Sequence, residues 1–375
     1  MTAMTTGHGA SVCAAGRTGT AAHPQASTGV RPSRDRRILA AALGSAAVLF
    51  LGGCGAGAAP FATPRATASA APTSALVPPP GAATGPAGGT TTYPLTITDD
   101  AGRRVTIRSK PRRIISLTLG TDEILPALVA KSRLVGVTAY ASDPTMSFVP
   151  GEVGGIATFQ AANAAQAVAL KPDVVFAASY TQPGVIQQLT DAGIPVIEFN
   201  TFSSLADIEN HITTIAAITD DQGRGQALKA AMQREAAAVQ RAVAGRTKPR
   251  VVFYSGGYIY GSGTTMDELI RDAGGINAAA AAGIKSWQQV GPEEIVHLNP
   301  DIILTDDTGH GDIMQGPAVQ KMLADPALQT VTAVKDKAVW GLSGRADSDV
   351  SQYMAWDLQD VASILHPHHV RPYTP

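Results

Sequence analysis

Seven aromatic residues, Tyr140, Phe159, Tyr180, Phe202, Tyr258, Tyr260 and Trp287, fall on or beside segments that link short apolar runs. The chain is only 5% aromatic, so this clustering is informative. Rings gathered on connecting segments can stack on a large ligand with flat apolar faces and bury it. Arg345 adds a planar, permanently charged fork, suited to a carboxylate, a phosphate or a ferric-catecholate charge. Each residue also has a plainer reading: a Tyr can pack its own loop, and Arg345 can be a surface charge beside a helix.

Other reactive chemistry is scarce. His366, His368 and His369, and His310 near Asp306, Asp307 and Asp312, lack diagnostic metal-ligand spacing. Histidine is in any case favoured near the end of a helix. Gly261-Ser262-Gly263-Thr264-Thr265 lacks the Lys of a P-loop and reads as a turn before a helix. There is no G-x-S-x-G elbow and no H-E-x-x-H pair, and no nucleophile can be matched with a base. An enzyme, a resident metal and a cofactor are therefore not expected. Lys plus Arg number 29 against 30 Asp plus Glu, a net charge of −1, which argues against a nucleic-acid partner.

The aromatic segments need strands and helices to hold them. Leu95-Thr96-Ile97 and Val105-Thr106-Ile107 flank Asp99-Asp100-Ala101-Gly102 and predict a hairpin. Apolar runs then recur at 113–117, 134–137, 173–177 and 195–199, with helical stretches between several of them. Runs without alternation are the pattern of buried parallel strands, so the class is α/β. The pattern restarts at 250–254, continues at 301–305 and 338–341, and closes with a helix over about 349–365. Leu228, Ala231, Met232, Ala236, Val239 and Val243 recur at helical spacing over 221–244. That helix either bridges two lobes or packs on one of them. In open α/β sheets ligands sit beyond the carboxyl ends of the strands, which is where the aromatic segments lie.

Residues 1–53 read as a leader. Arg31, Arg34, Arg36 and Arg37 precede an apolar run, Ile38 to Leu51, too short to span a membrane as an ordinary helix. Leu51-Gly52-Gly53-Cys54 resembles the bacterial lipobox, which implies cleavage before Cys54 and lipidation of its thiol. An ordinary secretory signal with an incidental Cys is the alternative. Arg36-Arg37 leaves twin-Arg export open beside the general route, and the long stretch before it suits either that route or a start codon placed too early. Cys13 leaves with the leader, so the mature chain keeps neither a free thiol nor a disulfide. Residues 54–92, rich in Ala, Pro, Gly and Thr, read as a disordered tether.

From about Leu95 to His369 the chain resembles the substrate-binding proteins of ABC importers, in the class that serves ferric siderophores, cobalamin and heme. The motifs run in order: Thr98 to Arg103; Pro111 to Leu117 with Thr121 to Leu125; Arg133 to Thr138; Val153-Gly154-Gly155. They continue with Leu170-Lys171-Pro172-Asp173-Val174-Val175, Ala273 to Asn277, Leu298-Asn299-Pro300-Asp301-Ile302-Ile303 and Leu365-His366-Pro367. The resemblance implies two Rossmann-like α/β lobes joined by a single long bridging helix, the class III periplasmic-binding-protein fold. It assigns 93–220 to the first lobe, 221–245 to the helix and 246–375 to the second lobe. It implies a monomer exported and lipid-anchored to the outer face of the cytoplasmic membrane. That protein would capture an iron–siderophore chelate in the interlobe cleft and deliver it to an ABC importer permease, with limited hinge motion. A corrinoid such as cobalamin, or heme, is the alternative ligand; a permease-independent sensor or scavenger, or a surface hydrolase, lies further off.

Family members dock on the permease through one surface Glu per lobe. Val290 to Ile295 matches the second-lobe motif and places Glu293 on that Glu, although an acid after Pro292 also suits a helix start. In the first lobe the matching position is Ala165, so one docking charge is missing. Gln166 or a neighbour substitutes, the permease differs, or coupling is weak.

Overall fold

The computed structural model describes residues 90–307 and 313–373. The leader, Cys54, most of the tether, His310 and Asp312 lie outside the described residues.

The expected hairpin is β1 (Leu95–Thr98) and β2 (Arg104–Ile107), with Leu95 opposite Ile107. Asp99 closes it by accepting from Arg103 N at 2.8 Å and pairing with its guanidinium at 2.6 Å. The first lobe then alternates β3 (Ile114–Ser116), α1 (Leu119–Leu128), β4 (Leu134–Thr138), α2 (Pro150–Val153) and β5 (Ala157–Phe159). It continues with α3 (Ala164–Ala169), β6 (Val174–Ala178), α4 (Pro183–Asp191), β7 (Val196–Phe199) and α5 (Leu205–Thr219). The five strands β3 to β7 form one parallel sheet in the order β5-β4-β3-β6-β7. All five residues of β6 are buried, as a central strand covered on both faces must be.

The apolar stripe of the long helix is buried at every predicted position, in α6 (Gln222–Val243). It leads from the first lobe into β8 (Arg250–Ser255), the start of the second. After β8 come β9 (Tyr258–Tyr260), α7 (Thr265–Asp272), β10 (Ile276–Asn277), α8 (Ala278–Ala281), β11 (Trp287–Gln289) and α9 (Pro292–Leu298). The chain ends with β12 (Ile302–Asp306), β13 (Ile313–Met314), α10 (Pro317–Ala324), α11 (Thr332–Lys335), β14 (Val339–Leu342), α12 (Gly344–Ser348) and α13 (Met354–Leu365). Strands β10, β8, β12 and β14 pair in parallel, while β9, β11 and β13 are antiparallel additions.

The two repeated Pro-Asp motifs have one physical cause. Lys171 and Asn299 end α3 and α9 with φ of 47° and 40°, and the Pro after each stops the helix. Asp173 then accepts from Arg113 N at 2.9 Å, and Asp301 from Arg250 N at 2.8 Å. Each Asp thus fastens the entry of its strand to the central strand of its own lobe.

The terminal helix is shorter than expected. Residues 349–353 are irregular because side chains take the backbone donors: Ser351 N donates to Asp349 Oδ1 at 2.7 Å, and Tyr353 N to Ser351 Oγ at 3.2 Å. From there α13 packs in one apolar core with α1, α5, α6 and α7, so the end of the chain rests on both lobes.

Candidate functional site

Segments from the two lobes meet at several points. Thr265 Oγ1 donates to the Phe202 carbonyl, beyond β7, at 2.9 Å. Leu205 N donates to Glu268 Oε2 at 2.9 Å. Beyond β14, the Arg345 guanidinium lies over the Phe148 ring, 4.7 Å from its centroid, in the segment between β4 and β5. Segments beyond β7 in the first lobe and beyond β14 in the second thus take part in the lobe contact, and the space between the carboxyl edges of the two parallel sheets is the candidate site.

Four of the seven predicted aromatics are largely exposed: Tyr140 at 55%, Tyr180 at 65%, Tyr258 at 45% and Trp287 at 61%. Among the described residues these are all of the exposed aromatic side chains, and two belong to each lobe. Exposing a ring forgoes apolar burial, so four exposed rings stand out against the rest of the surface.

In the first lobe Tyr180 follows β6, and its hydroxyl shares a hydrogen bond with Thr118 Oγ1, just after β3. This bond fixes the ring over the strand ends. Phe202 stands behind it, tilted at 6.2 Å, and meets His211 edge-on at 4.9 Å. His211 is buried against Phe199, and burial holds its imidazole below the ordinary range, with Asp100 and Asp207 opposing. Phe202 is thus half-buried and buttresses Tyr180. Below this floor Asp122 is fully buried and accepts from Thr138 N and Thr138 Oγ1 at 3.2 and 2.5 Å. Desolvation pushes its carboxyl up to about 8, against the pull of the Ser116 and Thr138 hydrogen bonds.

Phe159 is a correction. It is 2% exposed and packs with Ile115, Ala164 and Val175. As the last residue of β5 it points into the sheet-to-helix core; a Cβ on Gly136 of neighbouring β4 would lie 2.5 Å from its ring. Period-2 alternation turns it inward, and the loop position alone did not reveal that.

In the second lobe Gly256 and Gly257, with φ of 58° and 84°, form the two-residue turn that folds β9 back on β8. Strand β11 adds to β9 with Trp287 opposite Tyr260. Tyr258, two residues from Tyr260, shares its face of the ribbon. Tyr260 is half-buried, edge-on to Phe253 at 4.6 Å and to Trp287 at 6.4 Å. The ribbon gathers three predicted aromatics on one strand pair, a geometry that the Gly-Gly dipeptide could have announced.

Arg345 is half-buried and engaged with Phe148. Phe148 escaped notice in the sequence because no periodicity marks residues 143–149. Among the described residues no group of His, Cys, Asp and Glu could hold a metal ion.

On the outer surface, Glu293 is exposed in the first turn of α9, its carboxylate folded back over Gly291. Ala165 is exposed on α3, the helix that precedes β6 as α9 precedes β12. Gln166 does not project in its place: its Nε2 donates to the Thr158 carbonyl at 3.0 Å.

Comparisons with known proteins agree with this architecture. The family model described as periplasmic binding protein matches residues 114–346. The cobalamin-binding protein of Halobacterium salinarum is 30% identical over 240 residues, 63% of this chain; the chain spans 64% of that protein's length. The ABC transporter substrate-binding lipoprotein YvrC of Bacillus subtilis is 30% identical over 288 residues, covering 74% of this chain and 87% of that one. Among solved structures, the periplasmic heme-binding protein RhuT from Roseiflexus sp. RS-1 superposes with a TM-score of 0.58 at 26% identity, over 68% of this chain and 98% of its own. The molybdate-binding protein MolA of Haemophilus influenzae does so at 0.59 and 25% identity, over 73% and 92%. The family match runs from β3 through the bridging helix to α12, and the chain belongs to the periplasmic binding protein family.

Proposed function

We propose that this protein captures a large metal–organic chelate between its lobes and hands it to an ABC importer permease. The observation that supports the reading is the set of exposed rings, Tyr140 and Tyr180 on one lobe and Tyr258 and Trp287 on the other. Such walls suit a wide ligand with apolar faces better than a small oxyanion, which needs converging donors. A corrinoid takes first place, because a cobalamin-binding relative is 30% identical. The iron–siderophore expected from the sequence and heme are the other chelates of this shape class. The protein acts without chemistry of its own, as a monomer held at the membrane by lipidated Cys54. Replacing Cys54 by Ala then moves it from the membrane fraction to the medium.

The test is fluorescence titration with cobalamin, heme, a ferric hydroxamate and a ferric catecholate. Trp287 is the exposed one of three tryptophans, so a bound chelate quenches it. The Trp287→Phe variant loses most of that quenching. No response to any of the four chelates overturns the reading.

A further inference from the structure

Residues 349–353 form a second connection between the lobes, beside α6. Gln352, fully buried, donates Nε2 to the Glu123 carbonyl on α1 at 2.9 Å. Tyr353 stacks on Phe148 at 4.5 Å between centroids, and Trp356 meets the same ring edge-on at 5.5 Å.

At the centre of this seam lie three carboxyl groups from its two sides: Glu123 on α1, Asp349 on the strap and Asp357 on α13. They are 1%, 2% and 2% exposed. Asp349 Oδ1 accepts from Ser351 N at 2.7 Å, and its carboxyl interacts with those of Asp357 and Glu123. Glu123 Oε1 accepts from Ser147 Oγ and Phe148 N, each at 2.9 Å. Glu123 Oε2, Asp349 Oδ2 and Gln352 Oε1 find no amide, hydroxyl or cation to accept from. An ionised carboxylate only accepts, so a hydrogen bond between two carboxyls requires a proton on one of them. Like charges buried together cannot all ionise. Burial pushes Glu123 up to about 8, with Asp349 adding to the rise, and burial raises Asp349 as well.

Among the described residues the neighbouring titratable groups include two that add to the acidic character of the seam. Tyr353 of the strap is raised by burial and by Glu123, and Glu152 of α2 acts on it in the same direction. Asp122 is turned toward Thr138 of β4. Arg345 of α12 lies over Phe148.

We propose that Glu123, Asp349 and Asp357 form a proton-sharing clasp that holds the C-terminal strap on the first lobe, and that losing the shared protons loosens the two lobes. The clasp involves no ligand, so it stands or falls separately from the proposed cargo.

Infrared spectroscopy and hydrogen–deuterium exchange on the ligand-free full chain test it. At neutral pH the protein shows a carbonyl band of protonated carboxyl that titrates away near pH 8, and the Glu123→Gln variant shows a smaller one. After correction for intrinsic exchange, protection of the peptide covering 349–357 falls about tenfold per pH unit as pH rises from the ordinary carboxyl value near 4.5 to about 8, and levels off above it. In Glu123→Gln and Asp349→Asn that fall is flattened. Absence of the band in the wild-type protein at neutral pH overturns the proposal, and this reading does not depend on the variants folding. Protection that ignores pH, or falls equally in Glu123→Gln, overturns it too.

Discussion

Arg345 and Phe148 belong to different lobes, yet the guanidinium carbon lies 4.7 Å from the ring centroid. The cation that the sequence offers to an anionic ligand is therefore part of the lobe contact. It ties α12 to the segment between β4 and β5, over the same ring that Tyr353 of the strap stacks upon.

Replacing Phe148 by Leu keeps apolar volume but removes the π face. A partly exposed cation–π contact contributes about 0.5–1 kcal/mol, and two aromatic contacts go with it. The expected loss is roughly 1–2 kcal/mol in chemical denaturation, together with a larger radius of gyration in solution scattering. Unchanged values for both show that the stack holds nothing together.

Gly120 sits where α1 meets the strap. A Cβ there would stand 2.6 Å from the Val350 carbonyl oxygen, and that neighbour is backbone and cannot rotate away. Gly120→Ala therefore costs about 1–3 kcal/mol by overpacking. Helix propensity works in the opposite direction, since Ala outranks Gly inside a helix. A stabilised Gly120→Ala protein in urea titration refutes the close approach.

Glu268 gives the seam a second pH dependence. Burial beside Leu205 N lifts its carboxyl to about 7, while the bond from that N–H pulls it down. A folded value above the unfolded one means that the folded form holds its proton more tightly. The stability contribution is full below the unfolded value near 4.5 and is lost as pH rises to about 7. Melting temperature measured across that window falls for the wild type more steeply than for Glu268→Gln. Equal slopes would falsify the assignment.

Much of this molecule was legible in its residues, and the illegible parts share a cause. The stripe Leu228 to Val243 identified α6 because a helix repeats its own period regardless of what covers it. The two Pro-Asp motifs placed β6 and β12 because their turns are local. Exposure of Tyr180 and burial of Phe159 could not be separated in this way. Both lie at strand ends, and only the pleat of the finished sheet decides which ring turns inward. The seam was harder still. Glu123 and Asp349 are far apart in sequence, and no period links an acid on α1 to one on the strap.

Tyr180→Phe removes the hydroxyl that ties this ring to Thr118. The change leaves Thr118 without its partner, so the net cost is about 1 kcal/mol. Because the ring is exposed, the loss should fall on ligand binding more than on folding. Affinity for the bound chelate drops several-fold while the urea midpoint moves little. If affinity is unchanged, Tyr180 is a loop-packing residue and the first-lobe wall rests on Tyr140 alone.

The docking charges provide the last test, because the two lobes are unequal. Glu293 is exposed on α9, whereas the corresponding face of α3 presents Ala165, with Gln166 tied to the Thr158 carbonyl. If Glu293 meets a permease cation, Glu293→Gln lowers cellular uptake of the chelate at least several-fold and leaves affinity untouched. If its carboxylate serves only the start of α9, over which it folds, the same change costs about 0.3–1 kcal/mol of stability and uptake is unaltered. Ala165→Glu then separates the remaining cases. A permease that keeps a cation opposite the first lobe gains from the added acid, and uptake rises. A permease that has lost that cation gains nothing, because an unpaired exposed carboxylate is worth little beside solvent. Uptake that falls on adding the charge indicates that α3 docks through its uncharged face, where Ala165 and exposed Val168 lie side by side on the helix.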